Sequence, residues 1–205
     1  MISEIIFDLE TKSFFDEEGK NKPEDLGVSI VSLYIRKLDD NFSEIEGEVV
    51  SFWEKDFPNL WPLFEEADRV IGFNSKKFDV PALNPYAPLD LNKLPHFDIL
   101  DEVKRVHGKR VSLDRIAKST LGVGKIDVGS NAIVYWNAGD SDSLQKLQKY
   151  CEADTVITKN IYDHVLKNKE LKFIDFWNTP HNITINFDYP DGFIPKSQKS
   201  QMGLF

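Results

Sequence analysis

The stretch Glu4–Lys12, EIIFDLETK, constrains the fold more tightly than any other part of the chain. Ile5, Ile6, Phe7 and Leu9 have the pattern of a buried strand, yet Asp8 and Glu10 are set among them. Burying a carboxylate is unfavourable by several kcal/mol unless something positive compensates it. Residues at i and i+2 of a strand share a face and lie roughly 7 Å apart along it. Two acids therefore converge on one side of an expected core strand, and the fold must bring a positive group to them.

The order of the remaining elements places that strand at the centre of a sheet. After the polar loop FDEEGKNKPEDLG come two β-rich runs, VSIVSLYIRK and EGEVVSF. PNLWPLFEEAD has helical spacing, with Leu60, Leu63, Phe64 and Ala67 on one face, and RVIGFN reads as a short strand stopping at Gly72. FDVPALNPY predicts a short helix broken by prolines. HFDILDEVKRVHG and SLDRIAKSTLG predict two helices, closed by Gly108 and Gly122. A longer helix is expected from about Asp142, capped by Ser141 or Asp142 and running through YCEADTVITKNIYDHVL. FIDFWN and ITINFDY alternate like a hairpin with TPHN between them, and the chain beyond Pro190 is polar. Strands first, then alternating helices and strands, indicate an α/β domain with a mixed sheet.

At 205 residues the chain suits one domain with a sizeable core. No apolar run approaches the ~20 residues of a membrane span, and MISEIIFDLE lacks a secretory pattern, so no membrane partner is expected. A single cysteine, Cys151, excludes an intramolecular disulfide and fits a reducing compartment, which places the protein in the cytoplasm. The net charge of −9 argues against tight non-specific duplex binding. Between Asp101 and Lys125 the balance reverses, with seven lysines and arginines against three acids. Solvated helix faces account for such a run, and so does a patch that receives a nucleic-acid backbone.

Further acids complete the pattern. Asp79 ends NSKKFD, and Asp154 closes YCEAD four residues after Tyr150, on the same helical face. Acids converging from a strand, a helix start and a helix middle suit oxygen ligation of Mg²⁺ or Mn²⁺. The four histidines, His96, His107, His164 and His181, show no metal-ligand spacing.

Taken in order, FDLET, Asn74-xxx-Phe78-Asp79 and Tyr150-xxx-Asp154 resemble the three motifs of the DEDD family of 3′–5′ exonucleases, which has a ribonuclease H-like fold. Position 149 is Lys, so the tyrosine branch, DEDDy, is the match. SLDRIAKSTLG, the Trp136–Gly139 stretch and the YCEAD helix are similar to the YprB-type members, and the resemblance runs from about Ile5 to Leu166. It implies a mixed central β-sheet flanked by α-helices and hydrolysis with two Mg²⁺ or Mn²⁺ ions. On that pattern Asp8 bridges both ions, and Glu10 and Asp154 complete the site of the ion that activates water. Asp79 acts through water in the outer shell of the second ion, and Tyr150 orients the attacking water. A phenol is a poor base at neutral pH, so the metal does most of the acidification. The implied substrate is the 3′ end of single-stranded DNA or RNA.

Asn74, Lys76, Lys77 and Phe78 are the candidate nucleic-acid contacts, with simple solvation the competing reading for the lysines. Phe14 and Phe15 either stack on a terminal base or pack beneath their loop, the second being favoured. Cys151 and Glu152 are expected to point away from the site. Two other functions compete: a ribonuclease H-like structure-specific endonuclease, against which Tyr150 argues, and a non-catalytic nucleic-acid or clamp-binding adaptor, against which the complete set of acids argues.

The expected organisation is a nuclease domain over 1–170, a hairpin extension over 171–190 and a flexible tail over 191–205. The tail ends in QMGLF, in which Gln201, Met202, Leu204 and Phe205 resemble the pentapeptide that binds the bacterial sliding clamp, with Met at the second place and Gly203 at the variable third. A clamp partner would shift the expected substrate from RNA towards DNA, in repair or replication.

Overall fold

The computed structural model describes residues 1–15, 19–126 and 129–201, the last two of these without their side chains. Five strands form the main sheet: β1 (Ile2–Thr11), β2 (Val28–Leu38), β3 (Glu44–Trp53), β4 (Arg69–Gly72) and β5 (His96–Asp98). Their order is β3-β2-β1-β4-β5, with β1–β2 and β2–β3 antiparallel and β1–β4 and β4–β5 parallel. The acid-bearing strand is thus central, and the sheet is mixed. The helices are α1 (Trp61–Glu66), α2 (Asp79–Leu83), α3 (Ile99–His107), α4 (Leu113–Leu121), α5 (Gly129–Ala138), α6 (Ser141–Asn168) and α7 (Lys196–Gln201). A second sheet, β6 (Glu170–Ile174) with β7 (Pro180–Thr184), packs beside α4.

Strand alternation divides β1 between two layers. Ile5, Phe7 and Leu9 face a core built with Trp61 and Phe64 of α1 and Val80 and Leu83 of α2. Ile6, on the other face, joins Val103 of α3, Ile116 of α4 and Ile157 and Ile161 of α6. Glu4, Asp8 and Glu10 share the Ile6 face by the same alternation. The strand therefore meets α6 twice. Asp8 and Glu10 meet Asp154, while Glu4 meets Tyr162, whose hydroxyl donates to its Oε1 at 3.2 Å. Eight helical residues rise about 12 Å, and four strand residues span about 13 Å, so the two stations match in length.

The Glu4 station is a closed ionic network. Arg36 of β2 reaches Glu4 Oε2 through Nε at 2.8 Å and Nη2 at 2.7 Å, and Asp163 through Nη1 at 2.7 Å. Tyr189 donates to Glu4 Oε1 at 2.8 Å. Arg69 of β4 donates to the Tyr162 hydroxyl at 2.6 Å and to the carbonyls of Phe187 at 2.7 Å and Asp188 at 3.2 Å. With every polar group answered, burial of this charge is tolerable. The segment after Pro190, expected to be a free tail, is held to the fold as far as α7. The Lys196 N–H donates to Asp68 at 2.6 Å, its ammonium to the Glu65 carbonyl at 2.7 Å, and the Ser197 hydroxyl to the Met1 carbonyl at 2.8 Å.

Several expected elements lie elsewhere. HFD is a separate strand, β5, and Asp98 starts α3 by accepting from the N–H groups of Leu100 at 2.9 Å and Asp101 at 3.3 Å. The long helix is capped one residue before the expected Ser141, by Asp140, which accepts from the Ser143 N–H at 2.9 Å. The β6–β7 turn is DFWNT rather than TPHN. Asp175 Oδ1 accepts from the N–H groups of Trp177 and Thr179, both at 2.9 Å, which closes the loop before the second strand begins. Such an Asx turn competes with strand pairing and ends it early.

Candidate active site

Carboxylate oxygens of Asp8, Glu10 and Asp154 all lie within 4.8 Å of one another. Asp8 and Glu10 are half-buried at the open end of β1, and Asp154 is buried in α6, at 1% exposure. Tyr150, one turn before Asp154, is also buried, and it lines the same cleft of about 370 Å³ together with Asp79 and Asn74. Cys151 turns into the sheet, its thiol toward the Asp8 carbonyl at 3.6 Å, and Glu152 points outward to the Ser51 hydroxyl at 2.7 Å.

The acids raise one another's affinity for protons. Burial, then Asp154, Asp79 and Glu10, hold the Asp8 carboxyl well above the ordinary carboxylate range. Glu10 is pushed up to about 8 by burial and Asp154. Burial also raises Asp154, with Lys125 pulling the other way. Asp79 is raised to about 7, again by burial, although its own N–H and that of Leu9 favour its ionised form. Burial and the neighbouring Asp154 raise the Tyr150 phenol, so it stays protonated and can donate a hydrogen bond.

Lys125 answers part of this charge. Its ammonium contacts Asp154 Oδ2, lies 3.4 Å from the Tyr150 hydroxyl and sits 5.6 Å from that ring's centroid. Burial works against the ammonium, but Asp8 and Asp154 outweigh it and hold the pKa above that of an ordinary lysine. In the sequence Lys125 is one cation in a basic run. Its place follows from the loop after α4, where its N–H donates to Asp114 at 3.1 Å.

One ammonium does not satisfy three acids. Asp154 Oδ1 is buried with no hydrogen-bond partner among the described residues. An unpartnered buried carboxylate oxygen facing two further carboxylates is a donor set suited to a hard divalent cation. Asp8, Glu10 and Asp154 fit that role. Asp79, at the start of α2, lies outside this close trio but lines the same cleft.

The loop between β4 and α2 is shaped by Asp98, which the sequence did not single out. Its carboxylate accepts from the N–H groups of Asn74 at 2.9 Å and Lys76 at 3.1 Å while also capping α3. Asn74 takes a left-handed φ of 65°, which asparagine tolerates better than most residues. Its side-chain oxygen accepts from Arg110 at 3.2 Å. Gly72 is required just before this turn, because a Cβ there would lie 2.4 Å from the Ser75 Cβ.

Lys76 and Lys77 are exposed beside the cleft. Phe78 packs edge-on against Phe15, with centroids 6.0 Å apart. Phe14 and Phe15 are 41% and 45% exposed on the cleft rim, so they are not packed away beneath the loop. The basic run divides. Lys104, Arg105 and Lys118 pair with Asp101, Glu102 and Asp114 along their own helices, Lys125 turns into the site, and Lys109 and Arg110 stay exposed. No histidine joins a metal-ligating cluster among the described residues. Gln201 is the last residue of α7, and Met202, Leu204 and Phe205 lie outside the described residues.

A central strand and a facing helix that pool three carboxylates in an open cleft define an α/β protein with a candidate oxygen-ligand metal site. Residues 5–166 match the sequence profile of the RNase_H superfamily, and the chain belongs to that superfamily. The comparison with curated proteins gives no match. RNase H-like nucleases use divalent metals, and this chain carries an acidic trio, Asp8, Glu10 and Asp154, that could hold one.

Proposed function

We propose that this protein is a metal-dependent 3′–5′ exonuclease acting on single-stranded nucleic acid, with two Mg²⁺ or Mn²⁺ ions as cofactors. The observation that carries this reading is the position of Tyr150. It stands one helical turn before a buried metal-ligand candidate, inside the cleft that holds the other acids. An endonuclease or a passive adaptor has no need of a protonated phenol there.

Divalent cations held by Asp8, Glu10 and Asp154 would supply Lewis-acid stabilisation of the phosphoryl oxygens and acidify a water nucleophile. Asp79, which lines the same cleft from the start of α2, would act from the outer shell of the site. The Tyr150 hydroxyl donates a hydrogen bond that orients the nucleophile, a role that its raised pKa favours over that of general base. Asn74, fixed by Asp98 and Arg110, and Phe78 line the cleft and would contact the terminal nucleotide, with the exposed Lys76 and Lys77 between them in the chain. A cleft of about 370 Å³ sits at the small end of the roughly 300–1,000 Å³ usual for ligand pockets, which suits one nucleotide at a time.

The test uses end-labelled linear and covalently closed circular single strands of DNA and of RNA, with Mg²⁺ or Mn²⁺. Mononucleotides released from the 3′ end, stalling at a blocked 3′ end and intact circles are expected. Cleavage of the circles would replace this reading with the endonuclease. No cleavage of any strand, with binding retained, would replace it with the adaptor.

The same reading includes a bacterial sliding clamp as partner, through Gln201, Met202, Leu204 and Phe205, and with it DNA rather than RNA as substrate. The support is the resemblance of QMGLF to the clamp-binding pentapeptide, whose apolar residues suit an apolar groove. Titration of a peptide spanning Lys196–Phe205 against a bacterial clamp should saturate in the micromolar range and fail with Leu204→Ala, Phe205→Ala. Absence of saturable binding by both the peptide and the full-length protein refutes it.

A further inference from the structure

The turn between β6 and β7 presents two aromatic rings to solvent. Phe176 is 79% and Trp177 67% exposed, with centroids 5.6 Å apart and rings nearly perpendicular. The turn is firmly built. Asp175 Oδ1 accepts two backbone N–H groups, its Oδ2 lies 3.1 Å from His181 Nε2, and Arg115 donates to the Ile174 carbonyl at 3.0 Å and to that of Asp175. Preorganised rings bind a flat partner with little further loss of conformational entropy.

The surroundings select the partner by charge. The Lys109 ammonium stands 4.6 Å from the Trp177 ring centroid, and Arg110 is its neighbour in the chain. Neither forms an ion pair with a carboxylate among the described residues, in a protein whose net charge is −9. The turn also connects with the acidic site. Arg110, Val111 and Ser112 line both the groove that contains Trp177 and the neighbouring cleft that reaches Asp8 and Lys125. A path bordered by cations thus runs from the carboxylates to the aromatic pair.

We infer that Phe176 and Trp177, with Lys109 and Arg110, form a second binding station for single-stranded nucleic acid. Bases upstream of the reacting end stack on the rings, and the cations take the intervening phosphates. Stacking platforms combined with a basic groove are the general means of holding a single strand without reading its sequence. This inference rests on the exonuclease reading for its direction, since the strand end lies at the carboxylates.

The experiment compares wild-type protein with Phe176→Ala, Trp177→Ala and, separately, Lys109→Glu. Steady-state kinetics are measured on 20-nucleotide single strands of DNA and RNA and on the p-nitrophenyl ester of thymidine 5′-monophosphate, which is too short to reach the turn. Strand binding is followed in parallel by fluorescence anisotropy. Circular dichroism melts check that these surface variants fold. The double variant should raise KM for one or both strands by roughly 5- to 100-fold, the range expected for loss of stacked rings, with kcat retained and the ester unaffected. Lys109→Glu should raise the same KM and flatten its dependence on salt.

A KM unchanged for both strands, with hydrolysis intact, overturns the station and leaves the exonuclease reading standing. If the wild type hydrolyses neither strand nor ester, that reading falls, and anisotropy decides the station: binding lost in the double variant retains it, and binding indifferent to the variant or absent altogether overturns it. A change in sedimentation with KM unaltered assigns the rings to a protein contact, which also overturns it.

Discussion

Replacing Asp8 by Asn should make the metal-free protein more stable while abolishing hydrolysis. The substitution keeps the shape of the side chain and removes its charge. With oxygens within 4.8 Å, each ionised pair of carboxylates repels by about 3.5 kcal/mol at an effective dielectric constant of ~20. Asp8 faces two partners at that distance, Glu10 and Asp154, with Asp79 adding to the repulsion, and Lys125 offsets about one of them. Proton uptake relieves part of the remainder, leaving a stabilisation of about 2 kcal/mol at pH 8.5 on removal of the charge. The pH dependence has a definite sign. Asp8, Glu10, Asp79 and Asp154 all have folded-state affinities for protons above their unfolded values. Below about pH 4 both states are protonated and there is no penalty. Stability of the wild type then falls as pH rises through the folded pKa values, of which that of Glu10 is about 8. Thermal melts in EDTA should therefore place Asp8→Asn about 4–8 °C above wild type at pH 8.5, with the gap closing toward pH 4. Saturating Mn²⁺ should reverse the order at pH 8.5, because only the wild type gains from binding the ion well. A variant that melts at or below the wild type in EDTA at pH 8.5 would show that these carboxylates do not repel, and the argument for a cation site would fail.

Tyr150→Phe should lower kcat by one to a few orders of magnitude, the range for loss of a positioning hydrogen bond, with strand affinity nearly unchanged; single-turnover kinetics would show it, and unaltered chemistry would make Tyr150 a packing residue. Lys125→Met removes the cation against Asp154, so it should lower the melting temperature in EDTA by several degrees and tighten Mn²⁺ binding measured by calorimetry. Weaker Mn²⁺ binding would mean that the ammonium assists the ion rather than stands in for it. Glu4→Leu leaves Arg36, Tyr162 and Tyr189 without their shared acceptor, and should cost roughly 3–5 kcal/mol in urea unfolding. A loss below 1 kcal/mol would show that the network is dispensable to the fold.

The site's acids were legible because their chemistry leaves a mark that spacing preserves: carboxylates inside an apolar strand, and an acid one turn after a tyrosine. The groups that position them were not. Asp98 governs the Asn74 loop and the start of α3 from the end of a strand of only three residues, too short to separate from the helix that follows. Lys125 reaches the site through a loop, and no periodicity reports where a loop carries a side chain. Helix α5 went unrecognised because GSNAIVYWNA lacks a clean apolar stripe: Ala132 and Ile133 are buried while Val134 is 58% exposed. Asp175–Asn178 of this turn read as strand because Phe176 and Trp177 have the composition of one, and the Asx hydrogen bonds of Asp175 override that preference.

The ionic network at Glu4 bears on where this protein can be cut. The match to the superfamily profile covers residues 5–166. Yet the carbonyls that receive Arg69 belong to Phe187 and Asp188, and the phenol that closes over Glu4 belongs to Tyr189. A fragment trimmed to the matched region would retain its central sheet, but with a guanidinium and a carboxylate stripped of partners that the sheet cannot replace. The same holds during synthesis, when the ribosome has delivered every strand of the main sheet well before residue 189. Until that last stretch emerges, water has to serve as the missing ligand of those charges, and final closure of the interior waits on chain that lies outside the matched region.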